Sequence, residues 1–306
     1  MSGFMRIVLH VGAGLVLFAL VVFHTEPGRL AARLSGIQGR WLALALAMSI
    51  AANMASAMRW SAIARALALH APARRLLFMY ARGITLNVLL PGATLSGDVL
   101  RSVELSALGN PLPRSALSVF LDRLSGLWVL CGLSLAATAA ALLLHQLPAG
   151  GAAGWYALAL AAALVAPLLP WPVPAHAKAQ PLPFAALKRA IGRMLGPLHS
   201  ARTVLLGSVA SSLLVQLLSA IAFWACAEAV HIGLGLAAVT AAAAPIFVMA
   251  ALPIGIAGFG VREAAAAATL GVLGVPADQA VAAAVLYGAC AVIQGLLAAP
   301  LFARRR

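Results

Sequence analysis

The stretch Asn87-Val88-Leu89-Leu90-Pro91-Gly92-Ala93-Thr94-Leu95-Ser96-Gly97-Asp98-Val99-Leu100-Arg101-Ser102-Val103-Glu104 decides how this chain folds. It is apolar enough to leave water, yet it carries an amide, a Pro-Gly break, and then an acid, a base and an acid. A charge near the bilayer centre costs roughly 2.5–3.5 kcal/mol on insertion scales, so this stretch cannot face lipid along its whole length. Non-helical backbone at membrane depth survives only where protein buries it or where it lines a wet cavity. Residues 76–105 therefore read as two half-helices meeting at 91–97, a broken hairpin enclosed by other spans.

Those spans lie on either side. Apolar runs at about 5–23, 41–58, 116–144, 155–169, 203–230 and 278–302 are each of a length that crosses hydrocarbon or close to it. Of 306 residues, 63% are hydrophobic and only 9% charged, against about a quarter charged in a soluble domain. Long runs rich in Ala and Leu fit helices, whereas barrel strands alternate. The first run lacks a small-residue cleavage site and reads as a retained helix. A second interrupted segment, residues 237–274, is broken by Pro245, Pro253, Gly255, Gly258 and Gly260 and followed by Arg262-Glu263. The fold class is thus an all-α polytopic membrane protein, with about six full spans and two broken or re-entrant hairpins.

The net charge of +14 comes from 21 Lys and Arg against 7 Asp and Glu. Most of the bases flank apolar runs, so they read as the positive-inside signal and not as a nucleic-acid surface. The loop after residue 58, the acid-free segment 170–202 and Arg304-Arg305-Arg306 should be cytoplasmic, as should both termini; Arg29, Arg33 and Arg40 dissent. The compartment is then a bacterial inner membrane. On this topology the first hairpin opens to the cytoplasm and the second to the opposite side. Residues 1–306 form a single transmembrane domain. Half one (about 41–145) and half two (about 203–302) are inverted repeats, each breaking at Leu-Pro (Leu90-Pro91, Leu252-Pro253) with an Arg soon after.

The chemistry must lie with the few polar groups inside. Asp98, Arg101 and Glu104 fall at i, i+3 and i+6, one stripe on a helix, with Arg101 able to bridge both acids. The stripe is either a structural ion ladder or the wall of a polar cavity where Arg101 can exchange an acid for an anionic headgroup. The freed N–H groups after the break favour a phosphate. Asp122-Arg123 and Arg262-Glu263 are neighbours that point about 100° apart on a helix, so each is expected to pair across helices, in cross-repeat pairs that link these dipeptides with Asp98 and Arg101. Asn87, one turn before Pro91, should line the break; Gln216 and Gln294 should bond between helices. Arg59-Trp60 reads as an interfacial cation and aromatic. Cys131, Cys226 and Cys290 read as small buried hydrophobes. No catalytic motif, Walker loop or metal cluster is present. No catalytic residue, metal or cofactor is therefore assigned.

In this order Arg59-Trp60, Asn87 with Pro91-Gly92, Gly97-Asp98 with Arg101, Leu121-Asp122-Arg123-Leu124 with Gly126, and Pro253 to Glu263 with Gly255, Gly258 and Gly260 resemble the lysylphosphatidylglycerol synthase transmembrane-region family. The likeness in layout covers nearly the whole chain. One departure is Ser96-Gly97, where the family often has Gly-Gly. The resemblance implies a flippase-like domain that moves polar lipids between leaflets. In the two-domain synthases an aminoacyl transferase follows; with the sequence stopping at Arg306, the expectation here is the membrane part without that enzyme. Family members differ in their lipid, so the resemblance implies membrane lipids with a polar or anionic headgroup as partners and no nucleic acid. Asn87, Asp98, Arg101, Glu104, Asp122, Arg123, Arg262 and Glu263 are expected to line the headgroup cavity. Pro91, Gly92, Gly97, Pro253, Gly255, Gly258 and Gly260 are expected to break the helices. The rivals are an enzyme using a lipid-linked sugar donor and a scaffold for a lipid-modifying enzyme. A solute or ion transporter is a weaker third.

Overall fold

Ala and Leu are strong helix formers, and among the described residues every regular element of the computed structural model is helical. Described are residues 16, 19–23, 25, 27–89, 95–146, 154, 157–159, 161–162, 202–251 and 258–302, with the backbone alone for 202–207. α1 spans Pro27–Ser35, α2 Gly39–Ala66, α3 Ala73–Leu89, α4 Ser96–Ser106 and α5 Leu112–Leu143. α6 spans Arg202–Ala229, α7 Leu236–Ala251, α8 Val261–Gly271 and α9 Ala277–Ala298, which runs on into a 3-10 turn, Ala299–Phe302. Gly39–Ala66, Leu112–Leu143, Ser208–Ala229 and Ala277–Phe302 are long and apolar enough to cross a membrane. The chain is a multi-pass helical membrane protein. The expected spans at 5–23 and 155–169 and the 170–202 loop lie largely outside the described residues. Pro91, Gly92, Pro253, Gly255 and Arg304–Arg306 lie wholly outside them.

The helix ends follow local rules. α2 stops where Ala68 turns left-handed (φ 54°) and the Leu69 N–H bonds back to the Ala64 carbonyl. α5 starts behind Pro111 with a second proline in its first turn, where a missing N–H costs nothing. Gly258 and Gly260, at φ 76° and 90°, carry the chain into α8 through a backbone that suits glycine.

Contacts at the two ends set the topology. At one end the Gln38 N–H bonds the Ala229 carbonyl, Trp41 meets Trp224 edge-on, and Arg33 pairs with Asp278 at 2.9 Å. The start of α2, the end of α6 and the start of α9 thus lie together, and α2 runs antiparallel to α6. At the other end the Asn110 amide donates to the His70 carbonyl and accepts from the His70 N–H. This ties both feet of the α3–α4 hairpin to that end. The α7–α8 hairpin opens the opposite way: Leu234 and Val239 share a core with Leu270, Leu273 and Val275. Gln146, beyond the end of α5, lies against Gly235 at the same end.

Each hairpin leans on the far half. α3 packs on α9, where the Thr85 hydroxyl donates to the Gly295 carbonyl at 2.8 Å. α7 packs on α5, where the Ser134 hydroxyl donates to the Thr240 carbonyl at 3.0 Å. Small residues let these backbones approach: Ala45, Ala52 and Ala57 on α2, Ala241 to Ala244 on α7, and Ala280 to Ala284 with Gly288 on α9 are buried. With lipid as solvent, such close packing and hydrogen bonds hold helices together in place of the hydrophobic effect. The outer surface carries Ile50, Met54, Met58, Leu213, Leu214, Leu217, Leu296 and Leu297, all exposed, as acyl chains require.

Candidate functional site

α5 sends Asp122 and Arg123 in different directions, and each finds partners on other helices. Buried Asp122 accepts from Arg59 Nε at 2.9 Å and from Arg101 Nη2 at 3.1 Å. Arg59 also donates Nη1 to the Ser212 hydroxyl at 3.0 Å. Arg123 grips Asp98 with two hydrogen bonds of 2.9 and 3.0 Å. A looser contact of 3.8 Å between Asp98 and Arg101 closes the chain. Three guanidiniums therefore face two carboxylates, which leaves one positive charge in excess.

Arg101 is held from all sides. Its guanidinium lies 4.6 Å from the Trp60 ring centre and 4.7 Å from that of Tyr80, within cation–π range. Trp60 is pinned by its indole N–H to the Ser118 hydroxyl at 3.1 Å. Yet the Arg101 Nε–H is buried without an acceptor. Across from it, the Gly97 N–H donates to Asn87 Oδ1 at 2.9 Å, joining the end of α3 to the start of α4. A Cβ at Gly97 would collide with the Gly83 carbonyl, so only glycine lets these legs come this close.

The charges border a cavity of about 210 Å³. α2 contributes Ser49 and Asn53, α3 Tyr80 and Asn87, α4 Asp98 and Arg101, α5 Arg123, and α9 Tyr287. Gln294 backs this wall, bonding Asn53 and Ser49 at 2.7 Å each. Arg123, on this wall, has a side chain that is 43% exposed. On the same two helices, α4 and α5, Val99, Val103, Phe120 and Leu124 are also exposed. The polar site thus has a partly exposed edge on two helices that also carry exposed apolar side chains.

Residues 7–299 match the family described as lysylphosphatidylglycerol synthase TM region. The chain belongs to this family. Membership puts it among membrane proteins linked to lipid metabolism or lipid flipping. No curated protein matches the chain. The family-like residues Arg59, Trp60, Asn87, Gly97, Asp98, Arg101, Asp122, Arg123 and Gly126 are spread over four helices in sequence and meet here. Even Gly126 belongs, because a Cβ there would press on the Arg59 guanidinium.

The remaining expected site residues lie elsewhere. Glu104 is not bridged by Arg101 but pairs with Arg82 of α3 at 3.1 Å, within the first hairpin. Asp122 sits behind the cavity wall as the common partner of Arg59 and Arg101. Arg262 and Glu263 pair with each other at 2.7 Å, against the expectation that neighbours point too far apart. The long Arg262 side chain folds back, its guanidinium 4.6 Å from the Phe259 ring centre and against Gly288, while Glu263 accepts the Gly260 N–H. This pair caps the positive end of α8 with an acid. Among the described residues the cavity wall includes none from α7 or α8. Arg59 and Trp60, read as interfacial, are instead 5% and 0% exposed. α2 continues for nearly two turns past them, which takes them off the surface. Ser49, Asn53, Tyr80 and Tyr287 were missed. Their only signal was a polar atom in an apolar run, which Gln216 shares while merely bonding the Gly126 carbonyl. Among the described residues no group of three or more His, Cys, Asp or Glu could hold a metal.

Proposed function

We propose that this chain moves a polar or anionic lipid between the leaflets of a bacterial inner membrane, as a carrier and not as an enzyme. The headgroup occupies the cavity beside Arg101 and Arg123 while the tails stay in the bilayer. The observation that carries this reading is the charge chain with one excess positive charge, bordering a cavity whose wall includes the partly exposed Arg123. An ion ladder serving stability alone would need neither an unmatched charge nor a cavity.

The helix arrangement supports an inverted repeat. α2, α3, α4 and α5 correspond to α6, α7, α8 and α9, and the packing of α3 on α9 has its counterpart in that of α7 on α5. The two hairpins open to opposite ends, which suits alternating exposure of one site. The end carrying Arg65, Arg74, Arg75 and Arg114 is the cytoplasmic one. Arg33, which conflicts with this assignment by charge alone, is paired with Asp278.

The test is reconstitution into liposomes with fluorescent anionic lipids. Wild type transfers label between leaflets; Arg101→Gln falls to the protein-free background, while lipid-facing Met54→Leu keeps the wild-type rate. Equal rates for wild type and Arg101→Gln would sink the proposal.

A further inference from the structure

The two aspartates of the charge chain are not equivalent. Asp122 is buried, with its oxygens on two buried arginines at 2.9 and 3.1 Å. Asp98 lines the cavity, is held tightly only by the half-exposed Arg123, and stands 3.8 Å from Arg101. Beside it the Arg101 Nε–H lacks an acceptor although Arg101 is 2% exposed. A carboxylate thus occupies the arginine that an incoming anion needs.

We infer that Asp98 is a built-in stand-in for the ligand: the phosphate of a monoanionic phospholipid displaces it from Arg123, beside the Arg101 guanidinium on the same cavity wall. This rests on the reading above that the cavity holds a headgroup, and it names the headgroup's class. Two planar guanidiniums suit a phosphate, which accepts paired N–H donors. The single excess positive charge matches one negative charge. A cationic aminoacylated headgroup would add charge of the same sign. The volume of about 210 Å³ is below the roughly 300–1,000 Å³ of pockets for drug-sized ligands, so a small uncharged substituent fits and an oligosaccharide does not. The ligand is a phosphodiester lipid with a small neutral head, of the phosphatidylglycerol kind. When it binds, the Asp98 carboxylate leaves Arg123 and swings toward Arg101, 3.8 Å away.

The sign of one substitution separates this from a structural ion pair. Asp98→Asn removes the competitor and raises the excess charge to two. The detergent-solubilised full chain is titrated with dihexanoyl phosphatidylglycerol, dihexanoyl phosphatidylcholine and inorganic phosphate, read by the fluorescence of Trp60 and its fellow tryptophans. Asp98→Asn binds the glycerol lipid about tenfold tighter than wild type or better, the scale of a hydrogen bond to a charged group. Arg123→Gln binds it at least about tenfold more weakly. Unchanged or weaker binding by Asp98→Asn overturns the inference. If that variant fails to elute as a folded species, Arg123→Gln decides, and wild-type affinity there overturns it. Inorganic phosphate binding as tightly as the lipid would make free phosphate the occupant and refute the lipid. Phosphatidylcholine binding as tightly would refute selection by charge. Liposome transport by the same proteins separates the two claims. Tighter binding by Asp98→Asn without wild-type transport leaves this inference standing and removes the transport reading. Transport without tighter binding does the reverse.

Discussion

Replacing Asp122 with Asn tests the centre of the charge chain, because this carboxylate is the common partner of two buried arginines. The shape is kept and one negative charge is lost. Arg59 and Arg101, 5% and 3% exposed at the side chain, then face an amide that can satisfy only one of them well. Two unit charges 4 Å apart interact by about 4 kcal/mol at an effective dielectric of 20. Removing one partner of a buried pair costs about 3–5 kcal/mol, since the other charge is left uncompensated. The excess charge rises from one to two, which puts the loss at the upper end of that range. At about 2 °C per kcal/mol for a larger domain, the melting temperature falls by roughly 10 °C. The assay is thermal unfolding of purified protein, followed by size-exclusion chromatography. Arg59→Met added to Asp122→Asn removes one stranded charge and returns part of the stability, a coupling of about 0.5–3 kcal/mol. An Asp122→Asn protein that melts within a degree of wild type would refute the reasoning. So would a double variant that melts below the single one.

Three further outcomes follow. Glu263→Ala strands the buried Arg262 and removes the cap on the Gly260 N–H, costing about 3–5 kcal/mol by thermal unfolding; Glu263→Gln, which keeps an acceptor, costs less. Gly97→Ala forces a methyl against the Gly83 carbonyl and parts α3 from α4; overpacking of this kind costs about 1–3 kcal/mol, and lipid transport is lost with it. Gln294→Ala leaves the Asn53 and Ser49 partners unmatched at a cost of about 1–3 kcal/mol, but transport persists because no charge is touched.

The fold was legible wherever physical chemistry is one-dimensional. A long apolar run must span, and a Pro-Gly break with charges must be enclosed. That logic linked Asp122 and Arg123 with Asp98 and Arg101, because neighbours on a helix diverge, but these pairs join α4 to α5 and do not cross between the two expected repeats. The same logic failed at Arg262-Glu263, where a long side chain folded back across a helix start. It failed too at Arg59-Trp60. An arginine near the end of an apolar run looks interfacial until the helix is seen to continue and Asp122 to come alongside. Glu104 went to Arg82 and not Arg101, a choice made by the approach of α3 and α4, which no spacing along one helix encodes. The wall residues Asn53, Tyr80 and Tyr287 share their chemistry with ordinary interhelical contacts. Only the cavity between α2, the first hairpin and α9 distinguishes them.

The central claim is that a lipid headgroup sits beside Arg101 and Arg123. An experimental map of the protein in native-lipid nanodiscs tests this most directly. The account predicts elongated density with its head against those two arginines and its tail leaving past Phe120 and Leu124. A cavity empty of lipid, with acyl density confined to the outer surface, would contradict it.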